Sequence, residues 1–365
     1  MIFQIVRTFF ERKSQKMVSL APDGKPKGSR VLANGCYDLF HFNHALFLRQ
    51  SKLYGKKLIV GVFNDEEVET HKGYPVFTEE ERCTLTQAVK WVDDVVCDAP
   101  YKTTGPSLNQ HDCDFCVCGQ SLVSTFEGKD SYEEVKRSGR FRQLGRYPGI
   151  STLDVVGRVL SNHRSTSINR IEDFEKKALE LSTDKSGLSP WTLVIRFNAT
   201  AQAFEEVVPG RTPALTDKVV YVCGGFDVFN IGHLSFLEAA KDYGHYLIVG
   251  VYSDDTISGY GGTNGSILSL QERVLNLLPY KIVDAVIIAP PFKISQEMIN
   301  RFRIQVVVDG KYPAKNYSID PFEVPKKKGI HVEVETESDV TTEKVVQRIK
   351  TNRSDWERRN KIMKD

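Results

Sequence analysis

Short apolar runs alternate along the chain with longer segments in which apolar residues recur at helical spacing. In the N-terminal part this pattern predicts strands over 30–33, 57–63, 95–97 and 115–118, and helices over 42–54 and 79–90. Strands that alternate with helices predict a parallel sheet with helices on both faces. Thr78-Glu-Glu-Glu81 has the form of a capping box for the second helix, and Gly55 stands where the first helix should stop.

The pattern occurs twice. Gly35-Cys-Tyr-Asp-Leu-Phe-His-Phe-Asn-His44 recurs as Gly224-Gly-Phe-Asp-Val-Phe-Asn-Ile-Gly-His233, and Leu58-Ile-Val-Gly-Val62 recurs as Leu247-Ile-Val-Gly-Val251, both at an offset of 189 residues. We therefore predict two tandem Rossmann-like α/β domains. The first covers 28–165 and the second, more degenerate one covers 216–365, with an N-terminal extension over 1–27 and a linker over 166–215.

Composition narrows the class of protein. The chain has 365 residues, enough for two domains, and 49 Lys and Arg against 47 Asp and Glu give a net charge of +2. This balance provides no basic field for nucleic acid, so we expect no nucleic-acid partner. No run of 18 apolar residues occurs, so we expect no transmembrane segment.

The seven cysteines lie partly in apolar runs, which indicates a reduced, intracellular protein. Cys113, Cys116 and Cys118 stand near His111 and could suggest zinc. However, 115–118 is predicted to be a buried strand, and neighbouring side chains of a strand point to opposite faces. We therefore predict no metal site made of protein ligands.

The loop after the first strand contains the strongest candidate chemistry. In open parallel sheets, ligands bind beyond the carboxyl ends of the strands, where strand order reverses. His41 and His44 lie on one side of the start of the following helix, where free backbone N–H groups and the helix dipole favour anions. Gly35 would let a ligand approach the backbone, and Asp38 would cap the turn. The alternative is a packed, hydrogen-bonded pair of histidines with no ligand.

Cationic and hydroxyl side chains elsewhere could complete a phosphate site. Lys72 is predicted to lie in a loop, Thr70-His-Lys-Gly-Tyr-Pro75, from which it would neutralise a triphosphate. Ser151 and Thr152 are predicted to cap a helix that begins near Leu153. Two sets remain open between a role in the site and a place on the surface: the arginines Arg140, Arg142 and Arg146, and the pair Tyr132 and Lys136.

These segments, together with Lys90-Trp-Val-Asp-Asp-Val-Val96, Asp98-Ala-Pro-Tyr-Lys-Thr-Thr104 and Gly149-Ile-Ser-Thr152, resemble the cytidylyltransferases, in particular the ethanolamine-phosphate type with its tandem halves. That family has the H-x-G-H nucleotidyltransferase fold. The resemblance implies transfer of the cytidylyl group of CTP to phosphoethanolamine, with release of pyrophosphate and Mg²⁺ bound to the triphosphate. It also implies a cytoplasmic protein at the periphery of the endoplasmic reticulum and leaves a homodimer open.

The resemblance also implies roles for individual residues. The catalytic groups would be His41, His44, Lys72 and Arg146. The remaining CTP-binding residues would be Gly35, Cys36, Tyr37, Asp38, Phe40, Gly119, Ile150, Ser151 and Thr152. The second copy would retain a vestigial site made of Gly225, Phe226, His233, Thr341 and Thr342.

The chain departs from the family pattern at several positions. Asn43 replaces the Gly of H-x-G-H and adds a Cβ, Asn34 replaces an Asp, and the loop Cys118-Gly-Gln-Ser121 lacks the usual His and acidic residue. The second copy has Asn230 in place of the first His. Two alternatives therefore stay open: a catalytically weak paralogue that regulates an active cytidylyltransferase, and a nucleotidyltransferase with another phosphorylated acceptor.

Overall fold

The computed structural model describes residues 20–119, 128–145, 147–161, 171–260, 265–311 and 319–356. Arg146 and the segment Gln120-Ser121, which the sequence singles out, lie outside the described residues. Most of the predicted N-terminal extension does so as well.

The first copy forms a five-stranded sheet flanked by helices. Its strands are β1 (Gly28–Gly35), β2 (Gly55–Phe63), β3 (Asp94–Ala99), β4 (Phe115–Cys118) and β5 (Phe141–Gln143). Its helices are α1 (Phe42–Lys52), α2 (Asp65–Lys72), α3 (Glu79–Gln87), α4 (Gly105–Gln110), α5 (Glu133–Arg137) and α6 (Thr152–Ser161).

The segment that was predicted to link the copies has secondary structure of its own: α7 (Ile171–Leu181), β6 (Leu193–Asn198) and β7 (Ala203–Val208). Strand β7 runs antiparallel to β6, and β6 joins the second sheet. The buried Lys90 of the first copy ties this segment down, because its Nζ donates to the carbonyl of Leu181 and to Thr192 Oγ1, both at 2.9 Å. Residues 193–208 therefore extend the second sheet.

The second copy repeats the elements of the first. Its strands are β8 (Val219–Gly224), β9 (Tyr246–Val251), β10 (Ala285–Ile288), β11 (Ile304–Gly310) and β12 (His331–Val334). Its helices are α8 (Ile231–Lys241), α9 (Asp254–Tyr260), α10 (Leu270–Leu277), α11 (Gln296–Phe302), α12 (Glu323–Lys327) and α13 (Thr342–Thr351).

Both sheets have the strand order expected of a doubly wound fold. The first runs β3-β2-β1-β4-β5 and is wholly parallel, and the second runs β12-β11-β8-β9-β10-β6-β7 with β7 alone antiparallel. Strand order reverses at β1 and at β8. The loops after these two strands are the repeated signature segments, so the predicted fold class is confirmed, and these segments lie where ligands bind in sheets of this kind.

Three predictions of local structure need correction. Gly55 does not end the first helix; it begins β2, where a Cβ would lie 2.4 Å from Val31 Cγ2. Lys72 is not in a loop but is the last residue of α2, whose N-cap Asn64 accepts a hydrogen bond from the N–H of Glu67. Helix α3 ends at Gln87 rather than at residue 90 because the next residues bond to the second copy. The predicted capping box at Thr78 is confirmed, and Ser269-Leu-Gln-Glu272 forms the same capping box at the start of α10.

The cysteines agree only in part with the sequence. Cys116 and Cys118 lie in the buried strand β4, as predicted. The expectation of a fully reduced set is wrong for one pair, because Cys83 of α3 forms a disulfide with Cys97 of β3. These two segments pack side by side, so the thiols meet although 14 residues separate them in sequence.

The two copies share one continuous apolar core. Rings from both sides, including Phe40, Phe42, Phe229 and Tyr280, belong to the same cluster of buried side chains. Among the described residues, no helix has the length and apolar character needed to cross a membrane.

Backbone hydrogen bonds relate the copies by an approximate two-fold symmetry. Val89 forms an antiparallel bridge with Tyr280. The N–H of Lys90 donates to the Pro279 carbonyl at 2.9 Å, and the N–H of Lys281 donates to the Ala88 carbonyl at 3.0 Å. The segment that follows α3 in the first copy therefore pairs with the segment that follows its counterpart, α10, in the second.

Two bidentate ion pairs follow the same symmetry. Arg158 of α6 donates to both oxygens of Glu272 at 2.7 and 2.9 Å, and Arg348 of α13 donates to both oxygens of Glu81 at 2.7 and 3.0 Å. Glu81 and Glu272 are the capping-box carboxylates of α3 and α10. A single carboxylate thus caps a helix of its own copy and binds a helix of the other.

Candidate active site

The loop after β1 has an unusual backbone that both copies share. Tyr37 and Leu39 have positive φ angles of 55° and 46°, and their counterparts Phe226 and Val228 have 50° and 44°. Side chains of this size rarely adopt such angles without support from surrounding structure. The loop must therefore be held by specific bonds.

Asp38 provides the first of these bonds. Its buried carboxylate accepts hydrogen bonds from the N–H groups of Leu39, Val76 and Phe77, each at 2.9 Å. Burial raises the pKa of the Asp38 carboxyl, and the backbone donors oppose this rise. The prediction that Asp38 caps the turn is confirmed, and the same carboxylate also joins the loop to the segment before α3.

Arg82 provides a second group of hydrogen bonds that hold the loop. Its guanidinium is fully buried and donates to the carbonyls of Cys36 and Phe77 and to the carboxylate of Asp65. It thereby ties the loop to the starts of α2 and α3. The repeated Glu-Arg pair at 81–82 and 272–273 was visible in the sequence, but its structural purpose was not.

His41 and His44 meet at the start of α1. Their rings stack with centroids 3.9 Å apart and an interplanar angle of 17°. His41 is the N-cap residue and its side chain makes no cap hydrogen bond; both ring nitrogens are buried without a partner. The ring of His44 contacts the edge of Tyr37 and the ring of Phe40, each at 5.6 Å between centroids. The predicted proximity of the two imidazoles is thus present.

Burial keeps both imidazoles neutral. It lowers the pKa of His41 from 6.5 to about 3. Burial also lowers the pKa of His44 well below its usual value, and the neighbouring His41 and Lys72 lower it further. The N–H of His41 donates to Nδ1 of His44 at 3.4 Å, so a neutral His44 carries its proton on Nε2. A neutral ring in this tautomer is a donor suited to a phosphate oxygen.

Lys72 approaches the site from the end of α2. Its Nζ lies 6.0 Å from the centroid of the Phe63 ring and 5.9 Å from that of Tyr101. Its charge lowers the pKa values of His44 and of the Cys36 and Cys118 thiols. The charge of Lys72 therefore acts on the ring of His44 at the start of α1.

Asn43 fits this chain without obstructing the loop. Its Nδ2 donates to the carbonyl of Ile150 at 2.8 Å, which fastens the segment before α6 to the start of α1. The counterpart, Gly232, has no such room, because a Cβ there would lie 1.9 Å from the carbonyl oxygen of Val340. The substitution in the first copy is thus accompanied by a shift of the facing loop.

Thr152 and Ser151 have different roles. Helix α6 begins at Thr152, and Ser151 Oγ accepts a hydrogen bond from the N–H of Asp154, so Ser151 caps the helix as predicted. Thr152 does not cap it: its hydroxyl donates to the carbonyl of Asp38 at 2.9 Å. This bond places the start of α6 beside the signature loop.

The other predicted residues are two glycines and the side chains whose role the sequence left open. Gly35 is the last residue of β1. A Cβ there would lie 2.8 Å from the ring of Tyr37, so the absence of a side chain at Gly35 leaves room for that ring. Gly119 follows β4 and has no atom near the position of a Cβ. Of the residues that the sequence left open, those that the structure describes turn to protein partners: Arg140 to the carbonyls of Asp114 and Cys113, Arg142 to Asp23, Lys136 to Asp130, and Tyr132 into the core.

The second copy keeps the supporting bonds. Asp227 accepts from the N–H groups of Ile267 and Leu268, Arg273 donates to the carbonyl of Gly225, and Thr342 donates to the carbonyl of Asp227. His233 packs against the rings of Phe226 and Phe229. Thr341 caps α13. The predicted vestigial residues thus form a similar loop.

The start of the helix differs between the copies. In the second copy the N-cap is Asn230, whose Oδ1 accepts hydrogen bonds from the N–H groups of Gly232 and His233 at 3.0 and 3.4 Å. Asn230 therefore takes up the backbone donors that would otherwise face an anion. His41 leaves this function unfilled in the first copy.

Protein ligands for a metal ion are scarce around the histidines. In the part of the chain that the structure describes, Glu79, Cys83 and Cys97 form the one group with suitably close ligand atoms, and two of these are disulfide-bonded. Asp38 does not fit as a Mg²⁺ ligand, because its oxygens already accept three backbone hydrogen bonds.

Comparison with known proteins gives a consistent result. The model of the cytidylyltransferase-like family matches residues 32–158 and again 221–355. The ethanolamine-phosphate cytidylyltransferase of Mus musculus is 40% identical over 91% of this chain and 88% of its own length, and that of Dictyostelium discoideum is 38% identical over 92% and 94%. The choline-phosphate cytidylyltransferase A of Rattus norvegicus is 38% identical but over only 37% of each chain.

Proposed function

Because the chain belongs to the cytidylyltransferase-like family and to its ethanolamine-phosphate members, we propose that it transfers the cytidylyl group of CTP to phosphoethanolamine in its N-terminal copy. The observation that supports this location is the pair of neutral, stacked imidazoles at the start of α1, with Lys72 beside them. The second copy has one histidine at the equivalent place and a helix start capped by Asn230.

The reaction needs no covalent intermediate with the protein. An oxygen of the phosphoethanolamine phosphate attacks the α-phosphorus of CTP and forms the new P–O bond. The bond between the α-phosphorus and the bridging oxygen breaks, and pyrophosphate leaves with the electron pair. Negative charge develops on the phosphoryl oxygens, so catalysis consists mainly of positioning and charge stabilisation.

The residues of the first copy would divide this task. His44 would donate its Nε2 proton in a hydrogen bond to a phosphoryl oxygen, and His41, whose ring nitrogens have no protein partner, would donate to a second. Lys72 would neutralise the triphosphate together with Arg146. The loops around Cys36 and Ile150 would form the walls of the nucleotide site.

Mg²⁺ would arrive with the nucleotide. Since Asp38 is engaged with backbone donors, the ion would be held by the triphosphate oxygens, which are ligands that Mg²⁺ prefers. The reaction would take place in the cytoplasm, at the periphery of the endoplasmic reticulum. A homodimer and the absence of a nucleic-acid partner stay predictions from the sequence.

The proposal is tested by measuring pyrophosphate release from CTP with phosphoethanolamine, phosphocholine or glycerol phosphate as the acceptor. We expect release with phosphoethanolamine and formation of CDP-ethanolamine. Release with none of the three, together with binding of CTP by calorimetry, would favour the regulatory paralogue. Release with another acceptor alone would retain the chemistry and change the substrate.

A further inference from the structure

We propose that Asn276 of the second copy is a positioning residue for the active site of the first, because its side chain caps the first N–H of the helix that carries both histidines. The cap bond itself is the main observation. Asn276 Oδ1 accepts a hydrogen bond from the N–H of Phe42, the first residue of α1, at 2.8 Å. The two residues are 234 positions apart in sequence.

The first-turn N–H groups of a helix need acceptors from outside the helix, and a side chain at the N-cap usually provides one. In α8 that side chain is Asn230. In α1 the N-cap is His41, whose side chain makes no cap hydrogen bond. An N-cap side chain reaches the N–H groups of the second and third residues, so the N–H of the first residue, Phe42, needs an acceptor from elsewhere, and Asn276 supplies it.

The surroundings of Asn276 make this bond hard to replace. Asn276 is 3% exposed and lines a small cavity between the copies, together with His41 and mainly apolar side chains such as Leu39, Phe40, Val228 and Phe229. A water molecule in such a cavity would find few polar partners. If Asn276 were apolar, the N–H of Phe42 would remain buried without an acceptor.

The arrangement is not reciprocal, although the copies are related by an approximate two-fold symmetry. The residue of α3 that corresponds to Asn276 is Leu85, which has no polar atom in its side chain and is fully buried. The first copy therefore offers α8 no equivalent acceptor, and the side-chain cap of α8 is its own Asn230, which accepts from Gly232 and His233. The cap across the boundary serves only the helix that carries two histidines.

A second bond from the same helix acts on the same site. Glu272, one turn before Asn276 on α10, binds Arg158 of α6. Helix α6 begins at Thr152, which donates to the carbonyl of Asp38 in the signature loop. Helix α10 therefore binds the start of α1 through Asn276 and the last turn of α6 through Glu272. This inference rests on the proposed function for its effect on turnover, but not for its effect on the helix.

The test uses the full chain and Asn276→Leu, which keeps the size of the side chain and removes the acceptor. We expect kcat for CDP-ethanolamine formation to fall about tenfold, the loss that corresponds to one helix cap, with KM for CTP little changed. Hydrogen exchange of the peptide over residues 40–45 should become faster. Asn276→Asp, which keeps an acceptor oxygen, should have a higher kcat than Asn276→Leu.

Two comparisons make the test specific. Lys281→Met removes a different bond across the boundary, from Lys281 Nζ to the carbonyl of Gln87, and should change neither quantity. In a His41→Asn background, Asn276→Leu should still accelerate exchange, because an asparagine at the N-cap accepts from the second and third residues of the helix, as Asn230 does, and leaves the N–H of Phe42 to Asn276. Unchanged exchange in Asn276→Leu, or equal losses in Lys281→Met, would overturn the proposal. An inactive wild-type chain would instead contradict the proposed function and leave the exchange test valid.

Discussion

The start of α1 and the start of α8 show how one scaffold serves two purposes. Both follow a strand at the switch point, both have two residues with positive φ, and both are held by the carboxylate of an Asp and the buried guanidinium of an Arg. They differ at the N-cap, which is His41 in one and Asn230 in the other. The supporting bonds are thus compatible with either residue, and the N-cap decides whether the helix start is available to a ligand.

The comparison also shows that a helix start open to a ligand has fewer of its backbone N–H groups satisfied by its own N-cap residue. Asn230 satisfies two backbone donors of its own helix, whereas the buried ring nitrogens of His41 have no hydrogen-bond partner. The first copy depends on Asn276 for a cap and on a shifted loop that accepts a hydrogen bond from Asn43. We infer that the second copy is retained in part because it stabilises the first.

The largest expected effect comes from converting the first N-cap into the second. His41→Asn should lower turnover by about 10²–10³-fold, the usual loss when one preorganised donor is removed. The same change should raise the free energy of unfolding by about 0.5–2 kcal/mol, because Asn caps the helix. Steady-state kinetics and urea unfolding measure the two effects. A variant that loses both activity and stability would contradict the comparison.

The next effect concerns the position after the N-cap. Gly232→Asn should lower the free energy of unfolding by about 3 kcal/mol, because its Cβ would overlap the carbonyl of Val340 and overpacking carries costs of this size. Thermal unfolding measures the change. Gly259→Ala is the matched control, since a Cβ at Gly259 has no atom within 4 Å. Equal stability of the two variants would show that the loops of the two copies are interchangeable.

The pH dependence of stability should report on the buried imidazole. Because the pKa of His41 is about 3 in the folded chain and near 6.5 when exposed, only the unfolded chain takes up this proton between those values. The free energy of unfolding should therefore fall by about 1.4 kcal/mol per pH unit from this group as the pH drops below 6.5. Urea unfolding of the wild type and of His41→Asn from about pH 7 to about pH 5 measures it. The same slope in both would contradict the burial of a neutral His41.

The smallest effect is expected at Asn43. Asn43→Gly restores the family pattern and removes the hydrogen bond to the Ile150 carbonyl, which should lower the free energy of unfolding by about 1 kcal/mol. Turnover should change less than in His41→Asn, because the Asn43 side chain faces the loop before α6. A large gain in turnover would instead indicate that Asn43 obstructs the nucleotide.

Features that depend on local sequence could be predicted. The repeat, the parallel sheets, the capping boxes at Thr78 and Ser269 and the position of His41 and His44 follow from spacing within single segments. Lys72 shows the limit of local signals. The Gly73 and Pro75 that follow it indicated a loop, whereas the Asn64 cap and the acidic first turn of α2 extend the helix to Lys72 itself.

Features that depend on contacts between distant segments could not be predicted. The hydrogen bonds from the N–H of Phe42 to Asn276 and from Arg158 to Glu272 join residues more than a hundred positions apart, and no periodicity in the sequence marks them. The same is true of β6 and β7, whose divergent sequence gave no sign that they extend the second sheet. The end of α3 at Gln87 likewise results from pairing with the second copy.

The most direct test of the account compares His44→Ala with His233→Ala in the full chain. If the first copy alone reacts, kcat for CDP-ethanolamine formation should fall by about 10²–10³-fold in His44→Ala and stay close to the wild-type value in His233→Ala. Near-normal turnover in His44→Ala would contradict the assignment of the reaction to the N-terminal copy. Equal losses in the two variants would contradict it as well.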